Sequence, residues 1–192
     1  FLSVVFFVIA MEEVSWFQRQ IEIATPEYLI AHNSQDELNF HNIATAFFEN
    51  TYYFGAFVFL VVFPFVRLLF SFVEKNTYLN FFIGRPYLIF VGVISCAYNY
   101  DMWNIIFTQI AFFSSVFILF FFYVRSNNNL DKYISLFSIL LLLFSQLSFL
   151  GLGSNFDRIW AVTEYKEMFI PFGFMIYSLD ILLFAKLPSK ID

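Results

Sequence analysis

The sequence predicts an all-α, polytopic transmembrane helical bundle of about six spans, with a short interfacial helix after the first. Three observations carry this reading. Apolar residues make up 60% of the chain and charged ones only 13%, about half the charged share of a soluble domain. The apolar stretches run for about 20 residues without alternating, the length a helix needs to cross a bilayer and about twice that of a barrel strand. Thirty-two phenylalanines are more than the interior of a small globule can bury, so most must face lipid. An unpaired backbone group in hydrocarbon costs several kcal/mol, which leaves helices as the spanning structure once alternation is absent.

The elements follow in order as one integral-membrane domain over 1–192. Residues 1–20 read as a first span whose beginning precedes Phe1, carrying Glu12, Glu13, Ser15, Trp16 and Arg19 at its end. Thr25-Pro26-Glu27 reads as a helix start, with Thr as cap, Pro at the first position and Glu at the positive end. The apolar run 28–31 is too short to span and belongs at the interface. Ser34-Gln35-Asp36-Glu37 fits a capping box leading into the second span, 43–66. Residues 67–85 form a connection with Glu74-Lys75-Asn76 at its tip. Spans three to six cover 86–103, 104–124, 133–153 and 168–187, with polar segments at 125–132 and 154–167 and Pro188 closing the last.

Lys and Arg set the orientation. Arg67, Lys75, Arg85, Arg125, Lys132, Lys186 and Lys190 fall on one side, and Arg19, Arg158 and Lys166 on the other. The first side is expected to be cytoplasmic, with the C-terminus. The segments 11–42 and 154–167 then share the extracytoplasmic surface and fold over each other as a lid.

Composition excludes several classes. A formal charge of −5 argues against a nucleic-acid partner, which needs clustered Lys and Arg. Cys96 is the one cysteine, so neither a disulfide framework nor a thiolate metal site exists. No lysine sits in the middle of the sixth span to form a retinal Schiff base, and no glycine-rich nucleotide loop occurs.

The segment 11–42 holds six of the fifteen acidic residues and both histidines. Glu12, Ser15, Trp16 and Arg19 stand at i, i+3, i+4 and i+7, one face of a helix. A carboxylate, a hydroxyl, an indole N–H and a guanidinium on one stripe near a membrane boundary need partners or water. One reading is a structural network in which Glu12 or Glu13 pairs with Arg19 or Arg158. The other is a ligand or catalytic site, with Glu12, Glu13 and His41 as the chemical groups and Trp16, Arg19, Glu37, Arg158 and Glu164 as ligand-binding ones. Glu13 and His41 are the candidates for a divalent metal in a mixed His/carboxylate site. His41 is preferred over His32 because it stands where the chain re-enters the bilayer. Glu164 and Glu167 are i, i+3 and face the same cluster, Glu49 joins it from the second span, and Asp180 takes a local hydrogen bond from Ser or Tyr.

Glu12-Glu13-Val-Ser15-Trp16-Phe17-Gln18-Arg19, then Thr25-Pro26-Glu27, then Asn33-Ser-Gln35-Asp-Glu37-Leu-Asn39-Phe-His41-Asn42 resembles a group of bacterial polytopic membrane proteins of unassigned activity. Their pattern is E-E-I-S-W-G-Q-R, E-T-P-E and N-x-Q-x-E-x-N-L-H-N. Phe17 departs from the usual Gly. The resemblance covers about a sixth of the chain and implies a bacterial inner-membrane protein; it implies no mechanism.

Two functions compete at this point. The first is a binding or structural membrane protein, a homo-oligomer or a subunit of a larger assembly, whose polar cluster holds a lipid headgroup or an ion. The second is an integral-membrane enzyme acting on a lipid or lipid-linked substrate at the extracytoplasmic leaflet. There a glutamate is the base, Arg19 or Arg158 holds the headgroup, and His41 is an acid or metal ligand. A carrier or channel needs a continuous polar path, which the fourth and fifth spans offer least.

Overall fold

The structure, a computed structural model, describes residues 2–33, 37–98, 105–155 and 161–184. Every regular element among them is helical. The chain divides into two compact units, Phe1–Thr51 and Tyr52–Asp192.

In the first unit α1 is Leu2–Glu13 and α2 is Glu27–His32. The expected helix over 1–20 stops at Glu13 because Ser15, Trp16 and Phe17 all take positive φ, which no right-handed helix accommodates. Pro26 takes the N-cap position of α2 without a side-chain bond, one residue later than the Thr25 cap expected, and Glu27 sits at the end that favours its charge. Of the expected capping box, Ser34, Gln35 and Asp36 lie outside the described residues. Glu37 does not cap a helix: its carboxylate takes bonds from Ser15, Arg19 and Asn39 instead.

Five stretches among the described residues are long and apolar enough to cross a membrane: Thr45–Leu69, Thr77–Ala97, Ile106–Arg125, Asn129–Leu152 and Tyr165–Phe184. The span count is thus five against about six expected, with α1 contributing 12 residues. These are the helices of an integral membrane protein.

Helix α3, Thr45–Leu69, loosens into a π turn at Val58–Val62, where Phe63 N–H reaches back to Val58 O. The cause is in the sequence. Pro64 has no N–H to give the carbonyl four residues earlier, that of Leu60, and its ring crowds that carbonyl. The stretch expected as a plain connection holds two short helices, α4 (Ser71–Lys75) and α5 (Thr77–Phe82). Asn76 Oδ1 starts α5 by accepting from Tyr78 N and Leu79 N, both at 3.1 Å. The chain then breaks over residues 83–85 and re-enters through a 3-10 turn, Pro86–Leu88, into α6, Ile89–Ala97.

Helices α7 (Ile105–Arg125), α8 (Asn129–Leu152) and α9 (Ala161–Phe184) complete the second unit. The last two begin four and seven residues earlier than expected. For α8 the reason is Asn128, whose Oδ1 accepts from Leu130 N at 3.0 Å, with Asp131 in the first turn. For α9 the polar residues of 161–167 are taken into the helix, so Lys166, expected in a loop, is only 3% exposed.

The packing is inside-out relative to a soluble bundle. On α7 the outward stripe is Ile106, Ile110, Phe113, Phe117, Phe120 and Val124, while Thr108 and Ser115 are buried. On α8 it is Leu130, Tyr133, Phe137, Leu140, Phe144 and Leu147, with Ser135, Ser138, Ser145 and Gln146 inside. Spacings of three and four place each set on one helical face. An apolar exterior with a polar interior face suits lipid as solvent.

The core is α6, whose Ile89, Val93 and Ala97 are fully buried. It packs against the π turn of α3 and against α7, α8 and α9. Gly92 permits this: a Cβ there would lie 2.3 Å from the Leu60 carbonyl oxygen. Gly92→Ala is expected to cost about 1–3 kcal/mol through overpacking against backbone. Gly55, in the same helix as Leu60, has open space where a methyl would stand, with nothing within 4 Å, so Gly55→Ala should be neutral or stabilise by up to ~1 kcal/mol. Melting of the two purified variants beside wild type measures the contrast.

Candidate functional site

The polar segment of the first unit is built around a chain reversal. Ser15, Trp16 and Phe17 have φ of 48°, 53° and 59°, and such left-handed residues cost roughly 1–2 kcal/mol each. A run of them persists only where surrounding contacts over-determine it. Those contacts come from Gln18, Asn33, Glu37 and Asn39.

Gln18 uses both ends of its amide. Nε2 donates to Ile23 O at 3.0 Å and Thr25 Oγ1 at 2.6 Å, while Oε1 accepts from Leu38 N. Asn39, 1% exposed, donates from Nδ2 to Ser15 Oγ and to Glu37 Oε2, both at 3.1 Å. Its Oδ1 accepts from Asn33 Nδ2 at 2.8 Å, and the same Asn33 nitrogen serves the carbonyls of Glu37 and Asn39 at 2.9 and 2.8 Å. Buried amides in this arrangement replace the water their segment would otherwise need.

Each carboxylate is committed inside this network. Glu37 accepts from Ser15 Oγ at 2.6 Å, from Asn39, and from Arg19 Nη2 in an ion pair. Glu12 accepts the Trp16 indole N–H at 2.7 Å on Oε1, and Phe40 N and His41 N at 2.7 and 3.3 Å on Oε2. The last two open a 3-10 turn, His41–Ile43, where the positive end of aligned peptides favours an anion. Side-chain exposure is 16% for Glu12 and 14% for Glu37, against 75% for Arg19. His41 Nδ1 is buried without a hydrogen-bond partner and lies 3.8 Å from Glu12 Oε2.

Glu12, Trp16, Arg19, Glu37 and His41 therefore come together, though not as one helical stripe. The helix ends at Glu13; Trp16 folds back on Glu12, and Ser15 and Arg19 both reach Glu37 across the reversal. Glu13 is exposed and has no partner among the described residues. The acid beside His41 is Glu12 rather than Glu13. No group of three His, Cys, Asp or Glu that could hold a metal occurs among the described residues. Arg158 lies outside the described residues; Glu164 falls in α9, and its side chain lies outside them. The segment 154–167 is likewise described only in part. His32 is spent locally: Nδ1 is 2.8 Å from Tyr28 O, and the two rings stack.

Gln18, Asn33 and Asn39 are the residues the charge-led reading passed over. They are neutral, so a search for acids, bases and ligands does not weigh them. All three nonetheless stand among the positions that carry the resemblance, and that was the available signal.

Two further polar clusters occupy the second unit. Lys166 Nζ donates to Thr108 Oγ1 at 3.2 Å and sits 4.8 Å over the Tyr53 ring, and Tyr53 O–H donates to Glu167 Oε1 at 3.4 Å. Asp180 is more than a local acceptor. It pairs with Arg85, whose Nε donates to Oδ1 and Oδ2 at 3.1 and 3.0 Å, and it also accepts a hydrogen bond from the Tyr87 hydroxyl.

No protein-family model, curated protein or solved structure matches this chain.

Asn39→Ala removes one hydrogen bond each from Ser15, Asn33 and Glu37, each worth about 0.5–1.5 kcal/mol. The amides of Leu38, Phe40 and His41 should then exchange hydrogen faster while those of α7 and α8 keep wild-type protection. Unchanged exchange at Leu38 would show that the network does not hold the reversal.

Proposed function

We propose that this chain is a polytopic membrane protein without catalytic turnover, whose 11–42 segment is a self-bonded polar cap at the extracytoplasmic surface. The cap fixes the local fold and presents Arg19 outward to an anionic lipid headgroup or to a neighbouring subunit. One observation carries this: both carboxylates with candidate roles, Glu12 and Glu37, are taken up by three internal donors each. A base that must accept a substrate proton needs a lone pair within hydrogen-bond reach, and three of the roughly four such sites on each carboxylate are already occupied. Arg19, by contrast, keeps most of its guanidinium in the open.

A second reading, an enzyme on a lipid or lipid-linked substrate, rests on the His41–Glu12 pair at 3.8 Å. That spacing closes to a hydrogen bond with a small ring movement and would make His41 the proton carrier, with any metal held beside it. A bacterial inner-membrane location, a cytoplasmic C-terminus and assembly into a homo-oligomer or larger complex belong to the proposal too. The Lys and Arg distribution supports the orientation, and the resemblance of the 11–42 segment supports the bacterial location.

Two measurements test it. Reconstituted protein incubated with phosphatidylglycerol or phosphatidylethanolamine should leave the lipid mass spectrum unchanged. Glu12→Gln should lower the melting temperature while His41→Ala changes it little. A product mass that vanishes in His41→Ala, with melting intact, would establish the enzyme instead. For orientation, Gln20→Cys should react with an impermeant maleimide from outside and Asn127→Cys only after permeabilisation; labelling of both from one side would overturn the topology.

A further inference from the structure

The break between α5 and α6 lies within a stretch apolar enough to span. Irregular backbone at such depth survives only where protein groups or a polar cavity satisfy it. Arg67, near the end of α3, does so here. Its Nη1 donates to Asn80 O at 3.1 Å and Ile83 O at 2.7 Å, and its Nη2 to Asn80 Oδ1. Tyr177 O–H adds a bond to Phe82 O at 2.5 Å. The same break opens a cleft of about 240 Å³, with Arg67, Arg85 and Asp180 on its polar side and Phe81, Ile181 and Phe184 on its apolar side.

The charges in this cleft do not cancel. Arg85 and Asp180 neutralise each other. Arg67 bonds only neutral acceptors and has no carboxylate in ion-pair contact among the described residues. The residues that line the cleft thus carry one surplus positive charge, and Glu74 acts on Arg67 only from beyond ion-pair contact. Donors are left over as well among the described residues: Arg67 Nε is buried without a partner, and Arg85 directs Nε and Nη2 to Asp180, which leaves its Nη1 unspent. The Arg85 guanidinium is fixed by ring faces, 4.6 Å from that of Tyr87 and 4.4 Å from that of Phe184.

We propose that this cleft binds the phosphate of an anionic phospholipid. A singly charged phosphodiester matches the surplus of one cation, and its oxygens suit guanidinium donors better than an ammonium's point charge. The aromatic and aliphatic wall suits the glycerol and upper acyl carbons that follow the phosphate. Basic pockets between spanning helices take such headgroups in general. This site goes beyond the polar cap proposed above and shares no residue with it.

The test uses the full chain, delipidated in detergent and titrated with dioleoylphosphatidylglycerol, dioleoylphosphatidylcholine or inorganic phosphate, with binding read by native mass spectrometry and thermal shift. Phosphatidylglycerol should bind about tenfold tighter than phosphatidylcholine, and Arg67→Gln should remove about tenfold, the worth of one charge-assisted hydrogen bond. Because Arg67 also staples the break, Thr77→Glu is the second variant. Thr77 is exposed, lines the cleft and opens α5, where a carboxylate suits the helix end, so the fold should hold while the surplus charge is cancelled. Displacement of the lipid by millimolar inorganic phosphate would keep the phosphate chemistry and assign it to a soluble anion. Equal binding of the two lipids, or Thr77→Glu binding like wild type, would overturn the site. Asn39→Ala should leave this binding untouched, so failure of the polar cap and failure of the cleft read out separately.

Discussion

The second unit depends on one carbonyl that a proline leaves without its α-helical donor. Pro64 deprives Leu60 O of its helical donor, and the helix answers by widening into the π turn at Val58–Val62. Gly92 then brings its Cα hydrogens where a side chain would stand, 2.3 Å from that oxygen for an idealised Cβ. A Cα–H···O contact of this kind is weak but recurs where helices approach closely. Its larger effect is geometric: it lets α6 lie against the backbone of α3 rather than against its side chains. Gly173 on α9 makes room for side chains instead, since a Cβ there would meet Ser95 Oγ at 2.6 Å. Lipid tails give apolar helices no reason to associate, so close packing of small residues has to supply it.

Polar contacts complete the association and explain where the buried hydroxyls and charges of this unit go. Ser145 Oγ on α8 bonds the Tyr98 carbonyl just past α6, Lys166 on α9 bonds Thr108 on α7, and Arg85 bonds Asp180. Each joins residues far apart in sequence. A chain with so few polar residues uses them as cross-links and leaves phenylalanine and leucine to face the bilayer.

That division decides what was readable. The spans at α3, α7, α8 and α9 were legible because uninterrupted apolar length is a local property. The starts of α8 and α9 were not, because Asn128 competes with its neighbours for the cap and residues 161–167 look like a loop until their inner face finds partners. The reversal at Ser15–Phe17 gave no warning. Without a glycine, and with Glu12, Ser15, Trp16 and Arg19 in helical register, local preference points to a continued helix. Glu37 and Asn39, more than 20 residues on, override it. The Arg85–Asp180 pair, 95 residues apart, is beyond any local pattern. The gathering of Glu12, Trp16, Arg19, Glu37 and His41 was legible, but the internal bonding of its carboxylates was not, because counting charges does not count donors.

Counting donors also reverses the order of interest between the two polar centres. The 11–42 segment has the density of acids and histidines that suggests chemistry, yet its carboxylates accept from within and its amides donate within. The break beside α5 has fewer ionisable groups and less obvious sequence, yet its cleft is lined with one surplus cation and Arg67 Nε has no partner among the described residues. A polar group held in a membrane protein is costly unless something meets it. In the 11–42 segment the protein meets most of these groups itself, His41 Nδ1 being left without a hydrogen-bond partner among the described residues. Arg67 Nε has no partner, and Arg67 no carboxylate in ion-pair contact, among the described residues, which makes the less charged of the two centres the better suited to the oxyanion proposed above.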